Sequence, residues 1–190
     1  MTIKTKSLSR LLVLSTVCAA GIGSLSVAPA QSASSPTSAS KTDTTPGVLD
    51  RTQAAAILPK SVFYKGLSAT VQGRNSAGIR FNNGDLVLVS LVDTSGYSSA
   101  VQQTYQAYLL NDVHLQVGDQ SLPPGAYGFG FVGDHIVVMD IAGNEVLRAS
   151  TTRDPQLARP DPLHIVADEA MPGHYRLYLG RSYITLSAEK

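Results

Sequence analysis

The sequence predicts an all-β fold, an antiparallel β-sandwich or filled β-barrel built largely from consecutive hairpins, with a short N-terminal helix. From residue 61 onward, apolar runs of strand length alternate with turn-forming residues, a pattern typical of antiparallel β proteins. The runs at residues 86–89 and 136–139 are apolar at every position, so both of their faces need cover. Two packed layers are therefore favoured over one open sheet.

The short helix and the strands follow one another along the chain. Asp50 is placed to cap a helix that continues to Leu58 and ends before Pro59. The strand signals that follow are short apolar or alternating runs separated by turn residues. The predicted strands lie at residues 62–64, 68–72, 78–81, 86–92, 104–110, 113–117, 126–132, 135–141, 145–150, 163–167, 174–179 and 183–186.

Glycine-containing pairs mark the tightest turns. Residues 133–134, 143–144 and 180–181 each predict a two-residue hairpin turn, because glycine adopts the positive φ that such turns need. Residues 98–105 suit a helix as well as a strand, and we expect at most one helical turn there. Consecutive hairpins imply that sequence neighbours pair in the sheets.

The first 30 residues have the features of a cleavable secretory signal peptide. Lys4, Lys6 and Arg10 precede an apolar run that ends in Ala-Pro-Ala at residues 28–30, a small-x-small cleavage pattern. Lipidation at Cys18 is an alternative, although Val17 is branched where a small residue is expected. A single uncleaved anchor is another, although polar residues interrupt the run. We expect an exported protein, periplasmic or secreted.

The remainder of the chain divides into a linker and one domain. Residues 31–47 are nearly all Ser, Thr, Ala, Pro and Lys, which predicts a disordered linker ahead of a single all-β domain at residues 48–190. Cys18 is the only cysteine and lies in the predicted signal, so the domain uses neither disulfides nor thiolate chemistry.

The net charge and the hydropathy of the mature chain argue against a nucleic-acid partner and against a membrane span. Three of the 15 Lys and Arg residues lie in the predicted signal, which leaves 12 in the mature chain. The mature chain also has 14 Asp and Glu residues, so its net charge is about −2. The basic residues are scattered singly, which argues against nucleic acid as a partner. No apolar stretch of the mature chain is long enough for a membrane span.

The strand that follows Leu-Pro-Pro-Gly-Ala has two unlike faces. Tyr127 and the next two phenylalanines project to one face, while Gly128 and Gly130 fall on the other. Where a strand face lacks side chains, the sheet can bend sharply at that point. Alternatively, another backbone segment, an aromatic ring or a ligand can approach the strand closely. Tyr127, Gly128 and Gly130 are therefore the candidate ligand-binding residues.

Residues 113–131 resemble a hairpin of uncharacterised exported bacterial β-domain proteins, in which a glycine turn precedes Leu-Pro-x-Gly-x-Tyr at the start of a strand. A similar strand start occurs in transthyretin-like and carboxypeptidase-regulatory-like sandwiches. The resemblance implies a turn followed by a strand in an exported β domain, and it carries no functional residue with it.

The candidate catalytic residues lie on the hairpin predicted from strands 163–167 and 174–179. If Asp168 faces His174 and His164 faces Tyr178, these side chains share one polar face with Arg176. A carboxylate beside an imidazole can orient a general base, but cross-strand ion pairs on a solvated face are also common. The two imidazoles stand about 13 Å apart along the strands, too far to share a metal without a bulge.

These observations predict an exported non-catalytic β domain that binds a small ligand or a partner protein at the cell envelope. We expect neither a metal nor a cofactor. The alternative is a small hydrolase or isomerase that uses the His174/Asp168 pair, supported by Arg176 and Tyr178. Tyrosine is plentiful and suits binding surfaces, whereas the lack of tryptophan weakens the case for a glycan ligand.

Overall fold

The computed structural model describes residues 45–189. In chain order the elements are β1 (Gly47–Leu49), α1 (Arg51–Ile57), β2 (Ser61–Tyr64), β3 (Leu67–Arg80), β4 (Leu86–Val92), α2 (Ser99–Thr104), β5 (Ala107–Asn111), β6 (Leu115–Val117), β7 (Gln120–Leu122), β8 (Gly125–Val132), β9 (His135–Met139), β10 (Glu145–Ser150), β11 (Thr152–Arg153), β12 (Leu163–Ala167), β13 (His174–Leu179) and β14 (Ser182–Ala188). The predicted signal peptide and residues 31–44 of the predicted linker lie outside the described residues. Gly47, the last residue of that linker, begins β1.

Two antiparallel sheets pack face to face, which confirms the predicted all-β, sandwich-like fold. The first sheet has eight strands in the order β1-β3-β4-β5-β8-β9-β10, with β2 paired to β3 outside this path. The second has six strands in the order β12-β13-β14-β6-β7, with β11 paired to β14. Most pairs are sequence neighbours, as consecutive hairpins require. The chain leaves the first sheet after β5, forms the β6–β7 hairpin in the second, and returns as β8.

The core between the sheets consists of alternate apolar side chains from both layers. The larger buried members from the first sheet are Ile79, Val87, Val89, Leu109, Phe129, Ile136, Val138 and Leu147. Those from the second sheet are Leu115, Val117, Leu122, Leu163, Ile165, Leu177, Ile184 and Leu186. Period-two alternation places these residues on the inner faces.

The outer face of the first sheet is covered as well. Ala54 of helix α1 and Leu58, which follows the helix, pack against Leu88 of β4. The β2–β3 hairpin and the segment that contains α2 cover Val137 and Met139 of β9. The two runs that are apolar at every position are thus buried on both faces, as the sequence predicts.

Helix α1 begins and ends where the sequence indicates. The Asp50 carboxylate accepts hydrogen bonds from the backbone N–H of Thr52 (2.7 Å) and of Gln53 (2.8 Å). The Gln53 side chain accepts one in return from the Asp50 N–H (3.0 Å), which completes a capping box. Pro59 follows the helix, and β2 starts two residues later.

Some local predictions are wrong in detail. The strands predicted at residues 68–72 and 78–81 are one continuous strand, β3, with a register shift between Val71 and Ser76. Residues 140–144 connect β9 to β10 in place of a two-residue turn, because the Asp140 carboxylate accepts from the N–H and side-chain amide of Asn144. The short strands β1, β7 and β11 are not predicted, and α2, at six residues, exceeds one turn.

The side-chain-free face of β8 allows a close approach from outside the sheet. A Cβ at Gly128 would lie 2.6 Å from a ring carbon of Tyr105. At Gly130 it would overlap the backbone carbonyl oxygen of Thr104. The two glycines let the C-terminal end of α2 and Tyr105, which follows it, lie directly on the outer face of the first sheet.

We predict that Gly130→Ala lowers the free energy of unfolding by about 2 kcal/mol or more, because the Thr104 carbonyl belongs to the backbone and cannot rotate away. Urea unfolding followed by circular dichroism measures the change. Gly96→Ala is the matched control, since a Cβ at Gly96 meets no atom within 4 Å. Equal stability of the two variants would contradict the close approach.

Candidate functional site

A cleft of about 280 Å³ opens between β2 and the outer face of the first sheet. Strand β2 contributes residues 61–64, and β8 contributes residues 126–128. We call it the tyrosine cleft, and its lining is Pro59, Ser61, Val62, Phe63, Tyr64, Tyr105, Tyr108, Ala126, Tyr127, Gly128 and Ile141. Phe63 and Ile141 are 64 % and 61 % exposed, so two large apolar side chains face solvent at this cleft.

The lining of the tyrosine cleft carries no charge. Burial raises the pKa of the Tyr105 and Tyr108 hydroxyls. The pKa of Tyr64 is raised by burial first and then by the nearby Asp140 carboxylate. All three side chains are therefore neutral phenols at physiological pH, able to donate and accept hydrogen bonds.

Tyrosine contacts fix the β2–β3 hairpin over the sheet. The rings of Tyr64 and Tyr105 stack with centroids 3.9 Å apart. The Tyr97 hydroxyl lies 3.0 Å from the Tyr64 carbonyl oxygen and 2.9 Å from that of Leu67. The Tyr64 hydroxyl donates to the Met139 sulfur at 3.0 Å. The wall that β2 forms is thus tied both to the sheet and to the segment around α2.

Tyr105, one of the residues that line this cleft, has a buried hydroxyl without a partner in the described part of the chain. Tyr105 is fully buried, yet its hydroxyl forms no hydrogen bond with any residue from 45 to 189. A buried hydroxyl without a partner costs about 1–3 kcal/mol, so most folded proteins avoid one unless it serves a purpose. By contrast, the Tyr127 hydroxyl donates to the Pro123 carbonyl at 3.0 Å.

The structure separates the three candidate ligand-binding residues. Gly128 lines the tyrosine cleft and Gly130 packs under Thr104. Tyr127 also borders the cleft, but its side chain packs against the core between the sheets. Sequence reasoning did not single out Tyr64, Tyr105 or Tyr108 as site residues. The one local signal is the bare face of β8, which indicates that a ring or a ligand approaches but does not identify which ring.

The β12–β13 hairpin has the predicted register. His164 pairs with Tyr178, and their rings stack with centroids 4.6 Å apart and planes 6° from parallel. The Asp168 N–H donates to the His174 carbonyl oxygen at 2.9 Å, so these two residues face each other across the end of the hairpin. The predicted polar face therefore exists, and its side-chain contacts decide what it does.

Asp168 is bound by Arg176 and not by the His174 imidazole. Its carboxylate, 2 % exposed, accepts from Arg176 Nε (3.0 Å) and Nη2 (3.1 Å), and also from the Ala170 N–H (3.1 Å). The His174 Nδ1 atom is buried and has no hydrogen-bond partner among the described residues. A bidentate guanidinium thus occupies the carboxylate that would orient a general base.

The rest of the polar face is packed as well. The Tyr178 hydroxyl donates to an Asp154 carboxylate oxygen at 3.1 Å, and burial raises the pKa of Tyr178. The Arg176 guanidinium lies 5.1 Å from the centre of the Tyr183 ring. These contacts connect β13 to β14 and to the loop before β12, as a stabilising network does.

A second cleft, of about 300 Å³, lies where β1 and β3 of the first sheet meet β12 of the second. Its lining includes His164 and the charged residues Arg51, Arg74, Asp50 and Asp161. The two positive and two negative charges balance, and the Asp50 carboxylate is engaged in capping α1. The His164 Nδ1 atom is also buried and without a hydrogen-bond partner among the described residues, but the mixed charges of this cleft favour no single class of ligand.

Within residues 45–189, no three His, Cys, Asp or Glu side chains are grouped closely enough to hold a metal ion. The same residues contain no helix whose length and apolar character would allow it to cross a bilayer. No family model, curated protein or solved structure matches the chain.

We predict that Asp168→Ala lowers the free energy of unfolding by about 2 kcal/mol, because it removes a buried carboxylate that accepts three hydrogen bonds. Glu145→Ala is the control, since Glu145 forms a similar bidentate pair with Arg148 but is largely exposed. Thermal melts of both variants measure the difference. If Glu145→Ala lowered the free energy of unfolding as much as Asp168→Ala, the burial of the Asp168–Arg176 pair would not be the source of its stability.

We predict that His164 makes stability fall as the pH drops below about 6.5, the ordinary pKa of histidine. Burial lowers the pKa of His164 in the folded state, an effect that the nearby Asp161 opposes. The unfolded chain therefore takes up a proton at a pH where the folded protein does not, and the stability present above pH 6.5 is lost on acidification. His164→Phe keeps a ring against Tyr178, and urea unfolding at several pH values should show a flatter dependence. An unchanged slope would count against this assignment.

Proposed function

We propose that the protein is an exported, non-catalytic binding domain of the cell envelope and that the tyrosine cleft is its ligand site. One observation carries the proposal: Tyr105, whose buried hydroxyl has no partner among the described residues, is one of the residues that line a cleft of uncharged side chains. Ligand sites are commonly apolar cavities with a few polar groups that orient the ligand. Export rests on the features of residues 1–30.

The lining specifies the chemistry of the ligand. A volume of about 280 Å³ is at the small end of ligand sites, so the ligand, or the part of it that enters, is about the size of one aromatic group. Phenol rings favour flat partners, which stack or meet them edge to face. A polar atom on such a group would give the Tyr105 hydroxyl its hydrogen bond if the Tyr105 ring moved enough to expose that buried oxygen. A charged group would have no counter-ion there.

The same lining supports binding over catalysis. It contains no carboxylate, imidazole, amine or thiol, the groups that serve most often as general acids, bases or nucleophiles. Its phenols have raised pKa values and hold their protons tightly. In the His174/Asp168 alternative, both carboxylate oxygens already accept from Arg176. A binding role at the tyrosine cleft therefore has more support than hydrolysis or isomerisation at either region.

We predict that p-cresol, a neutral phenol, binds the tyrosine cleft and shifts the amide resonances of residues 61–64 and 126–128 in ¹H–¹⁵N spectra. Ala126→Phe should weaken binding at least tenfold, because Ala126 is exposed and lines the cleft, so a larger side chain fills it.

Ala167→Phe is the matched control, because Ala167 is an exposed strand alanine in the second sheet. It should leave p-cresol binding unchanged. Shifts that spread over the surface without a focus at the cleft, or equal affinities of the two variants, would contradict the proposed site.

A further inference from the structure

Strand β2 has one open edge. The Lys60 carbonyl accepts from the Val71 N–H at 2.9 Å, so the backbone groups of even-numbered residues face β3. The Lys65 N–H donates to the Ile141 carbonyl at 3.0 Å on the other side, so odd-numbered residues face away from β3. The N–H and C=O groups of Ser61 and Phe63 therefore point outward, and β2 pairs with no strand other than β3.

This open edge borders the tyrosine cleft. Ser61 and Phe63 both line the cleft, as does Ile141, whose carbonyl already accepts a hydrogen bond on the open side. The hydrogen bond from the Lys65 N–H to the Ile141 carbonyl resembles the backbone hydrogen bond that begins the pairing of two strands. An extended chain placed beyond it would meet two further donors and two further acceptors on β2.

Charges at the two ends of β2 specify the partner further. Lys60 precedes the strand and Lys65 follows it, and both are exposed. Neither forms a salt bridge with any residue from 45 to 189. The nearby Asp140 carboxylate accepts two hydrogen bonds from Asn144 within its own turn. The edge thus has positive ends and an uncharged middle, which complements a segment with the opposite pattern.

We propose that the open edge of β2 binds an extended peptide as an additional strand, with a central aromatic side chain in the tyrosine cleft and a carboxylate near each end. Main-chain hydrogen bonds supply affinity and the cleft supplies specificity, as in other cases of strand addition. The polar tip of the inserted side chain bonds the Tyr105 hydroxyl once the Tyr105 ring shifts toward the cleft, because that oxygen is fully buried in the free protein. This inference rests on the proposed function, because it assigns a partner to the same cleft.

The probe is the peptide acetyl-Glu-Val-Tyr-Val-Glu-amide, titrated into the exported protein and followed by amide resonances and hydrogen exchange. We expect downfield shifts and slower exchange at Ser61 and Phe63. The matched peptide with lysine in place of both glutamates should bind at least tenfold more weakly, because it opposes Lys60 and Lys65.

Two N-methylated versions of the probe test for strand pairing directly. One carries the methyl groups on the amides of positions 2 and 4, and the other on those of positions 1, 3 and 5. Alternate residues of a strand face opposite edges, so only one version blocks the hydrogen bonds to β2. One version should lose at least tenfold in affinity while the other keeps most of it. Equal affinities of the two would overturn strand addition.

The outcomes distinguish this inference from the proposed function. If p-cresol binds the cleft but the peptide does not, strand addition is wrong and the cleft takes small molecules. If neither binds, both proposals are overturned. If Ser61 and Phe63 are protected without peptide and native mass spectrometry shows a dimer, a second copy occupies the edge and the peptide assignment is wrong.

Discussion

The bare outer face of β8 is the constraint on which the site depends. Because Gly128 and Gly130 have no side chains, the Tyr105 ring and the Thr104 carbonyl lie directly on the first sheet. Tyr105 then provides the surface on which Tyr64 stacks, and Tyr97 holds the hairpin that carries Tyr64. The hairpin forms one wall of the tyrosine cleft, so two glycines in one strand determine where a binding site can exist.

Much of the fold follows from the sequence because the relevant signals are local. The fully apolar runs at residues 86–89 and 136–139 require cover on both faces, and the structure provides it. Two of the strands that sequence reasoning misses, β1 and β11, pair with strands that are distant in the sequence. The third, β7, pairs with its neighbour β6, but its three residues lie between a Gly-Asp turn and two prolines, which hides the strand. Polar residues in the middle of β3 make one bulged strand look like two.

The candidate site was less predictable because its residues converge only in three dimensions. Tyr64 comes from β2, Tyr105 from the segment after α2 and Tyr108 from β5, and no periodicity links Tyr64 to the other two. On the polar face of the second sheet, the register follows from the sequence, but the choice of partner for Asp168 does not. Arg176 reaches the carboxylate with two parallel donors, whereas an imidazole offers one, so the guanidinium is the stronger partner.

The state of the other sheet edges explains why the edge of β2 is available for recognition. At β10 a register shift disturbs the ladder, and the Arg148 carbonyl accepts from the Gln120 side chain of the second sheet at 2.9 Å. At the opposite side, β12 of the second sheet lies against β3 of the first. Such devices protect long edges from pairing with other copies. Only two residues of β2 have backbone groups that point outward, and a lysine lies at each end of the strand. The like charges of these lysines disfavour pairing with a second copy of the same edge. A short, charged and partly apolar edge is therefore suited to a partner that brings acidic ends, and poorly suited to a second copy of itself.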